Sequence, residues 1–204
     1  MMAGMSSSCS LPHDFTARLV AHQPADVSDH PPQRAAVAAV FALHQGQPEV
    51  LMMRRSEHPA DPWSGHVSFP GGRYETDDGD LLTTALRETH EELGLDLGHH
   101  GELLTNLTPV QAVALGVIQS MDITPFVFEL VGQPKLVVGH EAQEAFWLPL
   151  LPLIDGALDT TYAFRKGSTT RQLPAWDYEG RVIWGLTYRM LCDVLRIAGA
   201  LPAS

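Results

Sequence analysis

The stretch RETHEELGL, Arg87 to Leu95, places three glutamates, Glu88, Glu91 and Glu92, within five residues. The surrounding pattern predicts a helix from Asp80 to Leu93. Asp80 can cap its start, no Gly or Pro interrupts it, and Gly94 stands where it would end. Leu82, Ala85, Leu86, Thr89 and Leu93, spaced by three and four, form the expected apolar side. Residues three and four apart are neighbours on a helix, so Glu88, Glu91 and Glu92 are expected to converge on one exposed face. Two carboxylates about 5.5 Å apart repel by about 3 kcal/mol at an effective dielectric of about 20. Arg87 offsets one charge, and a hard divalent cation that accepts several carboxylate oxygens turns the remaining repulsion into coordination. An all-oxygen set suits Mg2+ or Mn2+ better than zinc, which favours nitrogen and sulfur. An isolated acidic pair on a helix is usually a solvated face. Here the helix follows FPGG, Phe69 to Gly72, whose glycines allow a backbone turn with a carbonyl beside the helix start.

Composition bounds the function. A chain of 204 residues with 45% hydrophobic and 18% charged residues is long enough for one well-buried core. Thirteen Lys and Arg against twenty-four Asp and Glu give a formal charge of −11. That charge repels nucleic-acid backbones and anionic membranes, so neither a nucleic-acid polymer nor a membrane is an expected partner. A phosphate-bearing substrate then needs a cation or a local basic pocket. Cys9 and Cys192 sit near opposite ends with no metal-ligand spacing, which fits a reducing compartment and a cytoplasmic location. The start, MMAGMSSSCSLPHDF, has neither a basic beginning nor a sustained apolar run and reads as a frayed tail. No segment approaches the roughly 18 uninterrupted apolar residues that a membrane span needs.

Outward from the helix, the order of elements implies helices covering a sheet. Phe15, Leu19 and Val20 suggest a short helix ahead of the proline-rich QPADVSDHPPQ, so residues 1–33 are expected to be a flexible segment and 34–204 the domain. Ala35 to Leu43 and Glu49 to Arg54 read as strands joined by the turn HQGQP. HPADPWSGHVSFPGG follows as a long loop, the kind of segment that carries binding residues. Strand-like runs recur at Val110 to Val117, Ile123 to Leu130, Leu136 to Val138 and Ala145 to Leu148. A last helix, Gly185 to Ala198, carries Tyr188, Leu191, Val194 and Leu195 on one face. The class is α/β or α+β.

GGRYETDDGDLLTTALRETHEELGL, residues 71–95, resembles the signature of the Nudix hydrolases, with Arg87, Glu88, Glu91, Glu92, Gly94 and Leu95 all matching. The resemblance implies an α/β Nudix fold, a mixed β-sheet sandwiched between α-helices. It also implies that Glu88, Glu91 and Glu92, with the Gly72 carbonyl, bind divalent metal, Mg2+ or Mn2+, and that Arg87 orients a carboxylate. Fourteen residues separate Gly72 from Arg87, one more than the strict pattern, and its spacer glutamate falls on Gly79. Asp77, Asp78 and Asp80 are the candidate replacements. Thr89 stands where the pattern usually has an aliphatic residue.

LMMRRSEHPADPWSGHVSFPGG is similar to the signature of the coenzyme A pyrophosphatase group of this family, through Arg55, Ser56, Gly65, Phe69, Pro70, Gly71 and Gly72. TALRETHEELGL, ITPFVFEL, EAFWLPL and YEGRVIWGLTYRML extend the likeness over about residues 35–196. Ala60, His66 and Met53 depart from that signature, standing where it has arginine, glutamate and threonine respectively. The implied reaction is cleavage of a small-molecule diphosphate, coenzyme A or a derivative, to adenosine 3',5'-bisphosphate and (acyl)phosphopantetheine. ADP-ribose, a nucleotide sugar, a dinucleotide and a nucleoside triphosphate are alternative substrates. A ligand-sensing domain that keeps the fold without hydrolysis is the alternative of another class.

A bound divalent metal neutralises the diphosphate and activates water. Candidate bases are Glu88, Glu141 and Glu144, with His66 and His140 behind them. Arg54, Arg55 and Arg73 are candidates for holding substrate phosphates bidentately. Trp63 either stacks on a base or lids the core. Arg165, Lys166 and Arg171, in the expected loop YAFRKGSTTRQLP, either meet a distal ribose phosphate or serve solubility. His99 and His100 read as surface. A homodimer is left open.

Overall fold

The computed structural model describes residues 11–27, 33–57, 63–114 and 117–203. Cys9, Ala60 and the HPADP part of the long loop lie outside the described residues. The elements run α1 (Phe15–Ala21), β1 (Gln33–His44), β2 (Gln47–Arg55), β3 (Val67–Ser68), β4 (Gly71–Arg73), α2 (Leu81–Leu93), α3 (Leu97–His100), β5 (Gly101–Asn106), β6 (Val110–Ala114), β7 (Val117–Leu130), β8 (Ala142–Pro149), α4 (Leu150–Ile154), β9 (Asp159–Lys166), β10 (Thr169–Tyr178), β11 (Arg181–Trp184) and α5 (Gly185–Ile197).

β1 explains the architecture. Its run AAVAAVFAL has no polar alternation, as a strand buried on both faces requires. It lies at the centre of the path β3-β2-β1-β7-β5, with β4 also on β1, β6 on β7 and β8 on β2. The β1–β7 pairing is parallel, from Gln33 opposite Met121 to Phe41 opposite Glu129, and its other pairings are antiparallel, so the sheet is mixed. Val37, Ala39 and Phe41 face a core layer shared with Leu191, Val194 and Leu195 of α5. Ala36, Ala38 and Val40 face the opposite layer, shared with Leu81, Ala85 and Leu93 of α2. Each fully buried aliphatic or aromatic side chain contributes about 1.5–3 kcal/mol by leaving water, so both layers are needed to cover this sheet. The fold is the expected mixed sheet between helices.

Several expectations change. α1 docks through buried Phe15 and Leu19, with Phe15 edge-on to Phe41, so this part of the N-terminal segment is built into the domain and does not hang free. Val20, on the other side of that helix, is exposed. Residues 136–138 form no strand. They run as an irregular strap whose Val137 and Gly139 N–H groups donate to the Leu93 and Glu92 carbonyls at the end of α2. YAFRKGSTTRQLP is not a loop but a β-hairpin. β9 and β10 pair from Asp159–Trp176 to Lys166–Thr169, and with β11 they make a separate three-stranded sheet. Its strands are largely exposed, so the core-facing alternation that announces a strand is weak there.

Candidate active site

α2 is capped as its sequence predicts: Asp80 Oδ1 accepts from the Thr83 N–H at 2.7 Å, and Gly94 ends the helix in the left-handed region. The buried stripe is Leu81, Thr84, Ala85, Thr89, Glu92 and Leu93, rotated from the expected one; Leu82 and Leu86 are only half-buried. Thr89 fits the core because its hydroxyl donates to the Ala85 carbonyl at 2.7 Å. The rotation has a chemical consequence. The three glutamates do not share one exposed face: Glu91 is 57% exposed at its side chain and Glu92 only 2%.

Arg87 organises this region. Its Nε donates to Asp78 Oδ1 at 2.7 Å and its Nη2 to Asp78 Oδ2 at 3.0 Å, a bidentate pair. Asp78 also accepts from the Thr84 hydroxyl and the Glu75 N–H. Of the three candidate aspartates, Asp78 is therefore the partner. These bonds, that to Arg87 first, hold the Asp78 carboxyl far below the usual carboxylate range. Arg87 Nη1 reaches Glu88 at 3.0 Å and Glu91 at 3.1 Å, and Nη2 reaches the Arg73 carbonyl at 3.1 Å.

The glutamates meet the Gly71–Gly72 backbone, which β1 holds opposite Val37 and Ala36. The Glu88 carboxylate lies where a Cβ on Gly72 would stand, so any side chain there would displace that carboxylate. Burial raises the Glu88 pKa against the pull of Arg87. Glu92 Oε2 accepts from the Gly71 N–H at 2.8 Å. Its Oε1 has no hydrogen-bond partner, the nearest cation being Arg55 Nη1 at 3.9 Å, too far for a hydrogen bond. Burial pushes the Glu92 carboxyl up to about 8, opposed by the Gly71 N–H and by Arg55.

Among the described residues, no three His, Cys, Asp or Glu side chains stand together as a ready metal cage. The reason is visible: Arg87 draws Glu91 outward while Gly71 draws Glu92 inward. The donors nevertheless fit a hard cation. They are all oxygen, one is a buried oxygen without a partner, and Glu88 is packed against the Gly72 backbone.

A cavity of about 1470 Å³ opens beside Gly71 and Gly72. Arg55, Arg73, Glu141, Trp63 and His66 line it, while Arg54 and Glu144 do not. Glu144 pairs with Arg181 at 3.0 Å and Arg54 at 3.8 Å, so strand alternation has sent Arg54 to a structural partner and Arg55 to the cavity. Trp63 packs on the Ala35, Ala112 and Met121 cluster, as a lid on the core would, and also lines the cavity. His66 lies edge-on to Trp184 at 4.9 Å. Met53 is buried on the α2 side of the sheet, away from the cavity.

Glu141 arrives on the 131–141 strap. Ser56 fastens that strap, its hydroxyl donating to the His140 carbonyl at 2.9 Å and its N–H to the Glu141 carbonyl at 2.8 Å. Gly139 lets the strap approach α2, since a Cβ there would stand 2.5 Å from the Glu91 carbonyl oxygen. His140 is almost fully exposed, and His99 and His100 stack edge-on to each other in the short α3, with His99 exposed and His100 half-buried. Sequence reasoning passed over Ser68, Tyr162, Phe164, Trp184 and Arg189, all of which line the cavity. For Tyr162 and Phe164 the available signal was the aromatic content of the segment misread as a loop.

Comparison with known proteins agrees with this construction. The NUDIX domain model matches residues 32–172, and the chain belongs to the Nudix family. It is thereby a hydrolase of the class that acts on phosphorus-containing anhydrides. An uncharacterised protein of Schizosaccharomyces pombe is 34% identical over 143 residues, 61% of this chain and 44% of that protein, so the match spans less than half of that relative's length. An uncharacterised Nudix hydrolase, NudL, of Salmonella paratyphi B is 28% identical over 172 residues, 83% of this chain and 85% of that protein. Among solved structures, the Mycobacterium smegmatis Nudix hydrolase RenU has a similar fold, with a TM-score of 0.54 at 17% identity, covering 86% of this chain and 89% of that one. No helix among the described residues is long and apolar enough to cross a membrane.

Proposed function

We propose that this chain is a divalent-metal-dependent pyrophosphohydrolase that cleaves the diphosphate of coenzyme A or its derivatives. The observation that carries the metal-dependent part is the buried, unpartnered Glu92 Oε1 at the Gly71–Gly72 backbone, with Glu88 packed against the same turn. A buried acceptor without a donor costs about 1–3 kcal/mol, and a cation removes that cost. Glu88, Glu91, Glu92 and the Gly72 carbonyl are the groups that would hold Mg2+ or Mn2+. Glu91 joins them by leaving Arg87, a change of rotamer on an exposed side chain. A metal held there would supply charge neutralisation of the diphosphate and activation of water.

The chain's own groups do the rest. Arg55 and Arg73, on the cavity wall, bind phosphate oxygens, and Arg55 also faces the Glu92 charge. Glu141, on its fastened strap, is the base that takes a proton from the attacking water. The coenzyme A assignment rests on likeness to that group's signature, whose Arg55, Ser56, Phe69, Gly71 and Gly72 all line the cavity. The cavity exceeds the roughly 300–1,000 Å³ common for small-ligand pockets, which suits an extended substrate.

Hydrolysis in heavy-oxygen water tests this. Purified protein with Mg2+ is offered coenzyme A, dephospho-coenzyme A, ADP-ribose and nucleoside triphosphates in parallel. Adenosine 3',5'-bisphosphate and phosphopantetheine, formed preferentially from coenzyme A, are expected, and the label identifies the phosphorus that water attacks. Preference for another diphosphate overturns the substrate; no cleavage, with metal bound, overturns the reaction.

A further inference from the structure

Of thirteen Lys and Arg in this acidic chain, six line one cavity: Arg55, Arg73, Arg165, Lys166, Arg171 and Arg189. Only two are near the Gly71–Gly72 turn by sequence or pairing; the other four belong to the β9–β10 hairpin and α5. The placement is not explained by internal pairing. Arg18, Arg87, Arg181 and Arg196 each hold a carboxylate within 3.1 Å, whereas Arg165, Arg171 and Arg189 form no ion pair among the described residues. With twenty-four carboxylates available, leaving Arg171 and Arg189 without one along a single cavity is a pattern that calls for an external anion.

The hairpin register says what accompanies that anion. Residues directly opposite on antiparallel strands share a face, and alternate residues along a strand share it too. Phe164 lies opposite Arg171, Tyr162 opposite Leu173, Lys166 opposite Thr169, and Trp184 opposite Ala175. Tyr162, Phe164, Lys166, Arg171 and Trp184 therefore share the face that meets the cavity. Arg165, although it borders the cavity, lies by alternation on the other face and takes no part. Tyr162 and Trp184 are stacked with centroids 3.8 Å apart and planes 12° from parallel, Phe164 lies beside Trp184 at 5.9 Å, and all three are only half-buried. A half-exposed aromatic ledge ending in cations is suited to a ring system that carries its own negative charge.

We propose that the inner face of β9–β11, with Arg189 of α5, is a second subsite that holds the nucleoside half of the substrate through a phosphomonoester remote from the scissile diphosphate. The ledge of Tyr162, Phe164 and Trp184 carries the ring, and Lys166, Arg171 and Arg189 carry the phosphate. This deepens the hydrolase reading given above and rests on it for the identity of the scissile group. The subsite selects nucleoside diphosphate derivatives with a third phosphate on the ribose over those without one.

The test separates binding from cleavage. Full-length protein, with chelator in place of metal, is titrated calorimetrically with adenosine 3',5'-bisphosphate and with AMP. One charge-assisted phosphate contact predicts about tenfold tighter binding of the bisphosphate, a preference that shrinks as salt is raised. Arg171→Ala and Arg189→Ala should each cut the preference while leaving AMP affinity unchanged, and Arg171→Lys should retain most of it. Circular dichroism checks that the variants fold. Equal affinity for the two nucleotides, or a preference that survives both alanine variants, overturns the subsite and leaves the hairpin cations as solvent-facing charge. ADP-ribose and coenzyme A cleavage with Mg2+ is measured alongside. Cleavage without a binding preference overturns the subsite alone, and a preference without cleavage overturns the hydrolase reading alone.

Discussion

Arg87 on α2 and Arg171 on β10 are in opposite circumstances. The first meets three carboxylates and a carbonyl within 3.1 Å; the second has no ion pair among the described residues and stands beside a half-exposed aromatic. Around α2 the chain supplies Arg87 with its counter-charges and leaves one buried carboxylate oxygen, Glu92 Oε1, without a hydrogen-bond partner. Along the hairpin it leaves Arg165 and Arg171 without an ion pair among the described residues. An acidic, closed end and a basic, open end of one site are what a substrate with a metal-bound diphosphate and a further anionic group would need.

Glu88→Gln and Glu92→Gln should each lower Mg2+-dependent turnover by about a thousandfold, since metal coordination is worth several kcal/mol in the transition state and each tenfold in rate is about 1.4 kcal/mol. Mn2+ titration of the same variants should show weakened binding. Wild-type turnover and metal affinity in Glu92→Gln would remove Glu92 from the metal set and return its free oxygen to the status of an unexplained defect.

Asp78→Ala breaks the acidic end without touching the proposed metal groups. Removing Asp78 takes away the bidentate partner of Arg87 and leaves it with Glu88 and Glu91, at a cost of about 1.5–3 kcal/mol in urea unfolding. The pH dependence has a definite sign. The Asp78 carboxyl is held below its unfolded value, so its contribution is fully present at neutral pH and is lost as pH falls below about 4. Wild type and Asp78→Ala should therefore converge in stability on acidification. Curves that stay parallel down to low pH would show that the pair contributes no linked stability.

This contrast was unequally legible in the sequence. The α2 end could be read because a capped, uninterrupted helix converts sequence spacing directly into geometry: Asp80, Gly94 and the Arg87–Glu88 pair all lie where spacing placed them. What spacing could not decide was rotation about the helix axis. A buried glutamate is unusual enough that pattern reading put Glu92 outside, when its Gly71 hydrogen bond holds it in. The hairpin end was illegible as structure because β9 and β10 are mostly solvent-exposed and show little apolar alternation. Its partner Trp184 comes from β11, and only the folded register brings that ring onto Tyr162. The strap was misread for a related reason. Val137 and Val138 look like strand residues, yet their backbone is tied to the end of a helix and both side chains are exposed.

That strap offers a smaller test. In Gly139→Ala the new Cβ meets the Glu91 carbonyl oxygen at 2.5 Å and that of Glu92 at 3.2 Å, both backbone atoms that cannot turn aside. The strap must lift, and overpacking of this kind costs about 1–2 kcal/mol. Because Ser56 holds His140 and Glu141 on the same strap, the shift is carried to Glu141. If Glu141 acts as base, kcat should fall while KM for the diphosphate substrate stays near wild type, and the pH–rate profile should change shape. A loss of stability with unaltered kcat would make the strap structural only.

The smallest effect is the most discriminating for the cavity. Arg54 and Arg55 are adjacent in sequence and equally plausible as phosphate ligands, but the strand turns them to opposite faces. Arg54 lies 3.8 Å from Glu144, a pair in which both side chains are about one-third exposed; Arg55 lines the cavity and faces Glu92. Partly exposed pairs of this sort contribute about 0–1 kcal/mol, so Arg54→Ala should leave KM unchanged and stability within that range. Arg55→Ala should raise KM, and without its cation the Glu92 carboxylate should also bind Mn2+ differently. Equal rises in KM for the two variants would place Arg54 at the substrate after all, and would mean that the end of β2 rearranges when the diphosphate binds.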